Sequence, residues 1–138
     1  MTIGPLAQTT ATLRVLAHPA RLRLLAMLRS GGLCVCQAAA VLGSPVSTVS
    51  EHLGELKRAG LLAERRQGRW VTYSLDVAAE ASDLLGFLLE LIATDALIRR
   101  DAGVVKRVRR VPPIDLCDAD LDLRRFGIEP ASLEGRRT

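Results

Sequence analysis

At Gly60 the apolar pattern of this chain changes period. Before it, apolar residues recur at helical spacing: Leu22, Leu25, Ala26 and Leu28 in one stretch, then Val49, Leu53 and Leu56 in another. After it, Leu61–Arg66 and Trp70–Leu75 read as two strands, with Gln67-Gly68-Arg69 as the turn between them. Aromatic residues make up only 3% of the chain, so the core must be aliphatic, built from helices packed through Leu, Ala and Val.

The remaining punctuation orders the helices. A first helix is expected over Leu6–Ala17, with Leu13 and Leu16 on one face. His18-Pro19 restarts the chain, since proline suits the first position of a helix. That second helix runs to about Arg29 and ends at Ser30-Gly31-Gly32. A short third helix covers Val35–Leu42, stopped by Gly43 and the Ser44-Pro45 turn. The fourth runs from about Ser47 to Ala59, capped by Gly60. A fifth is expected over Val77–Ile98, with Ala81, Leu84, Leu85, Leu88, Ile92 and Ala96 on its apolar face. The expected fold is mainly α with a small β-hairpin, a winged helix-turn-helix.

Residues 1–98 are read as one DNA-binding and dimerisation domain, and 99–138 as a C-terminal tail carrying Cys117. The tail begins basic (Arg99, Arg100, Lys106, Arg107, Arg109, Arg110) and turns acidic (Asp115, Asp118, Asp120, Asp122). Its Pro112-Pro113 argues against one long helix. At 138 residues a monomer is modestly stable, and a dimer interface would help. Net charge +4 is compatible with nucleic acid but does not demand it. Met1–Ala11 lacks the features of a signal peptide. Leu84–Ile98, interrupted by Glu90 and Asp95, is too short and too charged to span a bilayer, so no membrane partner and a cytoplasmic location are expected.

Two short helices, a tight turn and a hairpin place the N-terminal end of the second helix in a major groove. That end carries Ser47, Thr48, Ser50 and His52, which suit phosphates or base edges, and the hairpin offers Arg65, Arg66 and Arg69 to phosphates or a minor groove. Taken singly, Ser47 and Thr48 read more readily as helix caps, and His52 as a surface or packing histidine.

The three cysteines supply different chemistry. Thiolates select soft ions over Mg²⁺ or Ca²⁺. Cys34 and Cys36 stand two apart, and residues so spaced on a helix point to different sides. Either Cys34 precedes the helix, or ion binding distorts its first turn. A helix N-terminus also favours thiolate. Arsenic(III) and antimony(III) prefer three sulfurs, and the third candidate is Cys117. Three cysteines in a reducing compartment make no disulfide framework.

The sequence resembles the arsenic-repressor (ArsR/SmtB) family of winged-helix metal sensors. The resemblance covers about Leu13 to Ile98. It is carried by Leu16-Ala17-His18-Pro19-Ala20-Arg21-Leu22-Arg23-Leu24-Leu25, Gly32-Leu33-Cys34-Val35-Cys36, Ser47-Thr48-Val49-Ser50-Glu51-His52-Leu53, Leu56-Lys57-Arg58-Ala59-Gly60-Leu61 and Arg66-Gln67-Gly68-Arg69-Trp70-Val71-Thr72-Tyr73. It implies a homodimer, joined through the first and fifth helices, that sits on double-stranded operator DNA and dissociates when an ion binds. The implied ligands are Cys34, Cys36 and Cys117, with As(III) or Sb(III) as inducer and no organic cofactor. The chain departs from the pattern at two positions: Ala39 stands where arsenic sensors carry a further cysteine, and Gln37 where Asp is common. Cadmium and lead sensors draw thiols from an N-terminal arm, and here no cysteine precedes Cys34. No His lies between Val77 and Ile98 for a zinc or nickel site. Methylarsenite needs only two sulfurs and stays open as inducer, as do cadmium, lead and a redox switch pairing Cys36 with Cys117. An enzyme is not expected: Cys-x-Cys is not Cys-x-x-Cys, and no phosphate cradle follows a strand.

Overall fold

A computed structural model of the chain describes residues 4–80 and 82–129. Helices α1 (Pro5–Leu16) and α2 (Pro19–Leu28) both begin on proline, whose missing N–H has no intrahelical partner to lose there. His18 caps α2, its Nδ1 accepting from the Ala20 N–H at 3.2 Å. Of α1 only Leu16 is buried, and Leu13 is 46% exposed, so the first helix lies largely outside the core.

Strand β1 (Leu33–Cys34) runs straight into α3 (Val35–Leu42), which ends on Gly43 at φ 73°. That left-handed geometry favours glycine. Helix α4 (Val46–Arg58) buries Val49, Leu53 and Leu56, the stripe expected of it. Strands β2 (Leu62–Gln67) and β3 (Trp70–Leu75) pair antiparallel from Leu62↔Leu75 to Gln67↔Trp70, with Gly68 at φ 60° in the turn. Strand β1 joins the other edge of β3 through Leu33↔Tyr73 and Cys34↔Thr72, giving the order β1-β3-β2. Two residues are too few to show an alternating pattern, which is why this third strand was not expected.

The single long fifth helix is not formed. Its span is divided into α5 (Val77–Glu80), α6 (Asp83–Ile92) and the start of α7 (Ala96–Val108). The breaks fall at cap residues. Ser82 Oγ accepts from the Leu85 N–H at 3.4 Å, and Asp95 Oδ1 from the Leu97 N–H at 2.9 Å. Of the expected apolar face, Leu85 is buried and Leu88 and Ile92 half-buried, while Leu84 and Ala96 are exposed; Ala81 lies outside the described residues.

No boundary falls at residue 98 either. Helix α7 crosses it, then α8 (Pro113–Asp118) and a 3₁₀ turn (Leu123–Phe126) follow. Val104, Val105, Val108, Leu116, Leu123 and Ile128 are buried in the same core as Leu24, Leu25, Leu42, Leu53 and Leu56. Helix α7 packs on both α2 and α3, and α8 packs on α3. The basic residues that made this stretch look like a tail stand on the outside of α7: Arg99, Arg100, Lys106 and Arg107 are exposed, while valines fill the inner face. Docking is fixed by a buried ion pair, in which Arg23 Nε and Nη2 donate to Asp101 at 2.8 and 2.9 Å. Among the described residues no helix is long and apolar enough to cross a membrane.

Candidate DNA-reading face and cysteine site

The DNA-reading face is built on α4, the second helix of the α3–Gly43–Pro45–α4 unit. Pro45 is its N-cap, with no side-chain cap and no acidic residue in the first turn. Its leading amides therefore face outward without a side-chain acceptor, an arrangement that suits a phosphate. Ser47, Thr48 and Ser50 are all exposed, while Val49 and Leu53 anchor the opposite face. Ser47 and Thr48 lie inside the first turn, not at the cap, which decides between the two roles open to them against capping.

His52 is placed differently. It is half-buried on the side of α4 that meets α2, its ring 4.5 Å from that of His18. Arg21 Nε donates to its Nδ1 at 3.2 Å. Burial first, then the neighbouring His18 and Arg21, hold its pKa below the ordinary value. The structure thus gives His52 a packing contact between helices.

The wing carries two consecutive arginines on β2 and a third in its turn. Arg65, Arg66 and Arg69 are all exposed. Arg65 pairs with Thr72 and Arg66 with Val71, so consecutive side chains leave opposite faces of the hairpin. Glu64, on the Arg66 face, is ion-paired to Lys57 of α4, which ties the wing to the reading helix. Arg69 sits at the tip, its guanidinium 6.0 Å from the Trp70 ring centroid.

The cysteines converge on the first turn of α3. Cys34 is the N-cap at φ −79° and ψ 164°, and Cys36 lies within the first turn. The first of the two sequence alternatives is therefore realised: Cys34 precedes the helix. Its N–H donates to Gln37 Oε1 at 2.9 Å, and its sulfur faces the Gln37 amide in return, a reciprocal capping box. Cys36 Sγ lies 2.8 Å from Cys117 Sγ, which α8 delivers from the same chain. All three thiols are free. Among the described residues no three Cys, His, Asp or Glu side chains are grouped to hold a metal ion; Cys36 and Cys117 form a sulfur pair, and Cys34 stands at the cap of the same helix.

Thiolate priming by the helix N-terminus is not what the structure shows. Burial pushes the Cys34 thiol above its ordinary value although the Gln37 and Cys36 amides pull it down. Burial, then the hydrogen bond with Cys117, push Cys36 up to about 12. Desolvation of the charged form outweighs a partial helix charge. Cys34 and Cys36 therefore rest as neutral thiols.

Two features of this site escaped the sequence reading. Gln37 completes a Cys-x-x-Gln box with the spacing of Ser-x-x-Gln, a legible signal hidden by the unusual cap. Arg109, just past the end of α7, donates to Ser30 O and Gly31 O at 3.0 and 2.8 Å, clamping the turn that leads into β1. No local signal marks that long-range contact.

The family described as "Bacterial regulatory protein, arsR family" matches residues 18–64. The chain is 44% identical over 69 residues to the HTH-type transcriptional regulator NmtR of Mycobacterium tuberculosis, covering 50% of this chain and 58% of that protein. It is 41% identical over 63 residues to the arsenic resistance transcriptional regulator ArsR1 of Pseudomonas putida, covering 45% and 49%. The chain thus spans about half the length of these curated relatives. Solved structures share the fold, among them the following. Rv0081 of M. tuberculosis is 34% identical at a TM-score of 0.55, covering 66% of this chain and 92% of that one. The AntR antimony-specific transcriptional repressor is 35% identical at 0.55, covering 67% and 83%. The homodimeric winged helix-turn-helix domain Mb0332 of Mycobacterium bovis is 27% identical at 0.53, covering 70% and 90%. With its helix-turn-helix, its wing and these relatives in agreement, the chain belongs to the arsR family of bacterial regulatory proteins.

Proposed function

We propose that the chain is a homodimeric repressor that holds operator DNA through α4 and the wing and releases it when arsenite or antimonite is captured by Cys36, Cys117 and Cys34. The observation that carries this reading is the 2.8 Å contact between Cys36 and Cys117 on a helix packed against the reading helix. The donor set is sulfur alone, which suits soft ions. Two of the relatives are named for arsenic and antimony. Capture draws three sulfurs together at the first turn of α3, and α3 packs directly against α4. A peroxide switch is less favoured, because protonated thiols are poor nucleophiles.

The dimer is expected through α1 and α6. Leu84, Phe87 and Leu91 of α6 are 39%, 63% and 61% exposed and form one stripe at helical spacing, and Leu6 of α1 is 83% exposed. The Mb0332 domain is described as a homodimer.

The test is operator release with purified protein, followed by fluorescence anisotropy. Cys36→Ser and Cys117→Ser should each keep the ion-free operator affinity and lose release by arsenite. X-ray absorption at the arsenic edge should count three sulfurs in the wild type. Release of either variant at the wild-type arsenite dose would refute the reading. Two sulfurs in wild type, unchanged in Cys34→Ser, would move the inducer to an organoarsenical.

The wing gives a separate prediction. Removing one phosphate-binding arginine should weaken binding alike on all sequences and reduce the salt slope by about 1. Because Arg65 and Arg66 leave opposite faces, Arg65→Ala and Arg66→Ala should differ, only one of them matching Arg69→Ala. Equal slopes for all three variants would mean that the hairpin meets DNA edge-on.

A further inference from the structure

We infer that Gln37 is a positioning residue that sets the inducer threshold, by latching Cys34 in the α3 cap and withholding its sulfur from the Cys36–Cys117 pair. The inference rests on the reading of these cysteines as inducer ligands and goes beyond it.

Three observations meet at Cys34. Its backbone N–H is held by Gln37 Oε1 at 2.9 Å, and its sulfur is turned to the Gln37 backbone N–H. Cys36 and Cys117 are already in contact, yet no group of three ligands is assembled among the described residues. Cys34 is also a residue of β1, paired with Thr72 of the wing strand β3. On this inference the third sulfur reaches the pair when Cys34 leaves the cap. Leaving breaks the reciprocal box, uncovers the first amides of α3 and pulls on the strand that carries the wing. The cost of opening the box is subtracted from the binding of the inducer, as in any equilibrium where the competent state is the minor one.

The chemistry of Gln37 fits this role. Its side-chain oxygen accepts from the Cys34 amide without ligating a soft ion itself. Glutamate at the same position would accept the same hydrogen bond, and alanine would not. Position 37 is thus a place where inducer sensitivity changes without touching a sulfur or a DNA-facing side chain.

The experiment uses the full chain and sodium arsenite, with bound arsenic measured by equilibrium dialysis and operator affinity by anisotropy without arsenite. Gln37→Ala should bind arsenite roughly three- to tenfold more tightly than wild type, the range expected from losing one helix cap. Its operator affinity should fall or stay level. Gln37→Glu should restore the wild-type threshold. A merely structural role would not tighten arsenite binding. Equal or weaker binding by Gln37→Ala, with three sulfurs counted in the wild type, overturns the latch and leaves the inducer reading intact. A wild-type site of two sulfurs that ignores Cys34→Ser also overturns it, while the roles of Cys36 and Cys117 stand. Failure of the wild type to bind arsenite overturns both.

Discussion

Asp101→Ala is expected to lower the stability of the folded chain by about 3–5 kcal/mol, the usual cost of stranding one partner of a buried ion pair. Arg23 and Asp101 have side chains only 9% and 1% exposed, and they meet through two hydrogen bonds of 2.8 and 2.9 Å. Removing the carboxylate leaves the Arg23 guanidinium, with a side chain only 9% exposed, without its charged partner between α2 and α7. Set against a total of roughly 5–15 kcal/mol for a domain, the loss is a large fraction. It should appear as a fall in melting temperature of about 10 °C or more. Replacing both partners with apolar residues, as Arg23→Met with Asp101→Leu, should recover most of the loss, because neither charge is then buried. A urea midpoint of Asp101→Ala equal to that of wild type would show that the pair does not hold α7 in place. The substitution has a second readout. Helix α7 leads into α8, which delivers Cys117, so loosening it should separate the Cys36–Cys117 pair and weaken arsenite binding as well.

Arsenite binding should be almost independent of pH between about pH 6 and pH 8, whereas cadmium binding to the same cysteines should rise by about tenfold per pH unit for each thiol engaged. The sign follows from the resting state. Burial raises Cys34 and takes Cys36 up to about 12, so both are protonated throughout this window. Three neutral thiols that condense with arsenous acid form three sulfur–arsenic bonds, break three arsenic–oxygen bonds and pass their protons to the departing hydroxides as three waters. No net proton is released. Thiols that bind a divalent cation must instead give their protons to solvent, so acid competes. Two engaged thiols give about a hundredfold per pH unit. Equilibrium dialysis of each ion across the window checks both slopes. A steep arsenite slope would mean that the thiols are already ionised at rest, contrary to their burial. The contrast also bears on selectivity, since a neutral thiol site favours neutral hydroxides over cations, most of all at lower pH.

Much of the fold was legible because local rules and tertiary packing agree there. Val49, Leu53 and Leu56 form a helical stripe and are all buried, and the hairpin turn at Gly68 lies where its residues placed it. Where the two levels part, the reading failed for identifiable reasons. Leu84, Leu88 and Ile92 keep one period across Val77–Ile98, and periodicity alone cannot see that Ser82 and Asp95 end one helix and start another. The six cations of residues 99–110 suggested a solvated tail, because the valines between them bury only against α2 and α3, elements far away in the chain.

The candidate site divides along the same line. By itself the sequence determined the helix-turn-helix, the wing and the soft-ligand character of Cys34 and Cys36, since each depends on neighbours within a few residues. Only the tertiary structure decided that Cys117 meets Cys36 within one chain, because that contact requires α7 and α8 to pack on α3. It also decided that Cys34 turns its sulfur into a helix cap, that His52 packs against His18, and that burial keeps Cys34 and Cys36 protonated. Contacts between residues distant in sequence and the desolvation of a thiol depend on what surrounds a group in space, and no spacing along the chain carries that information.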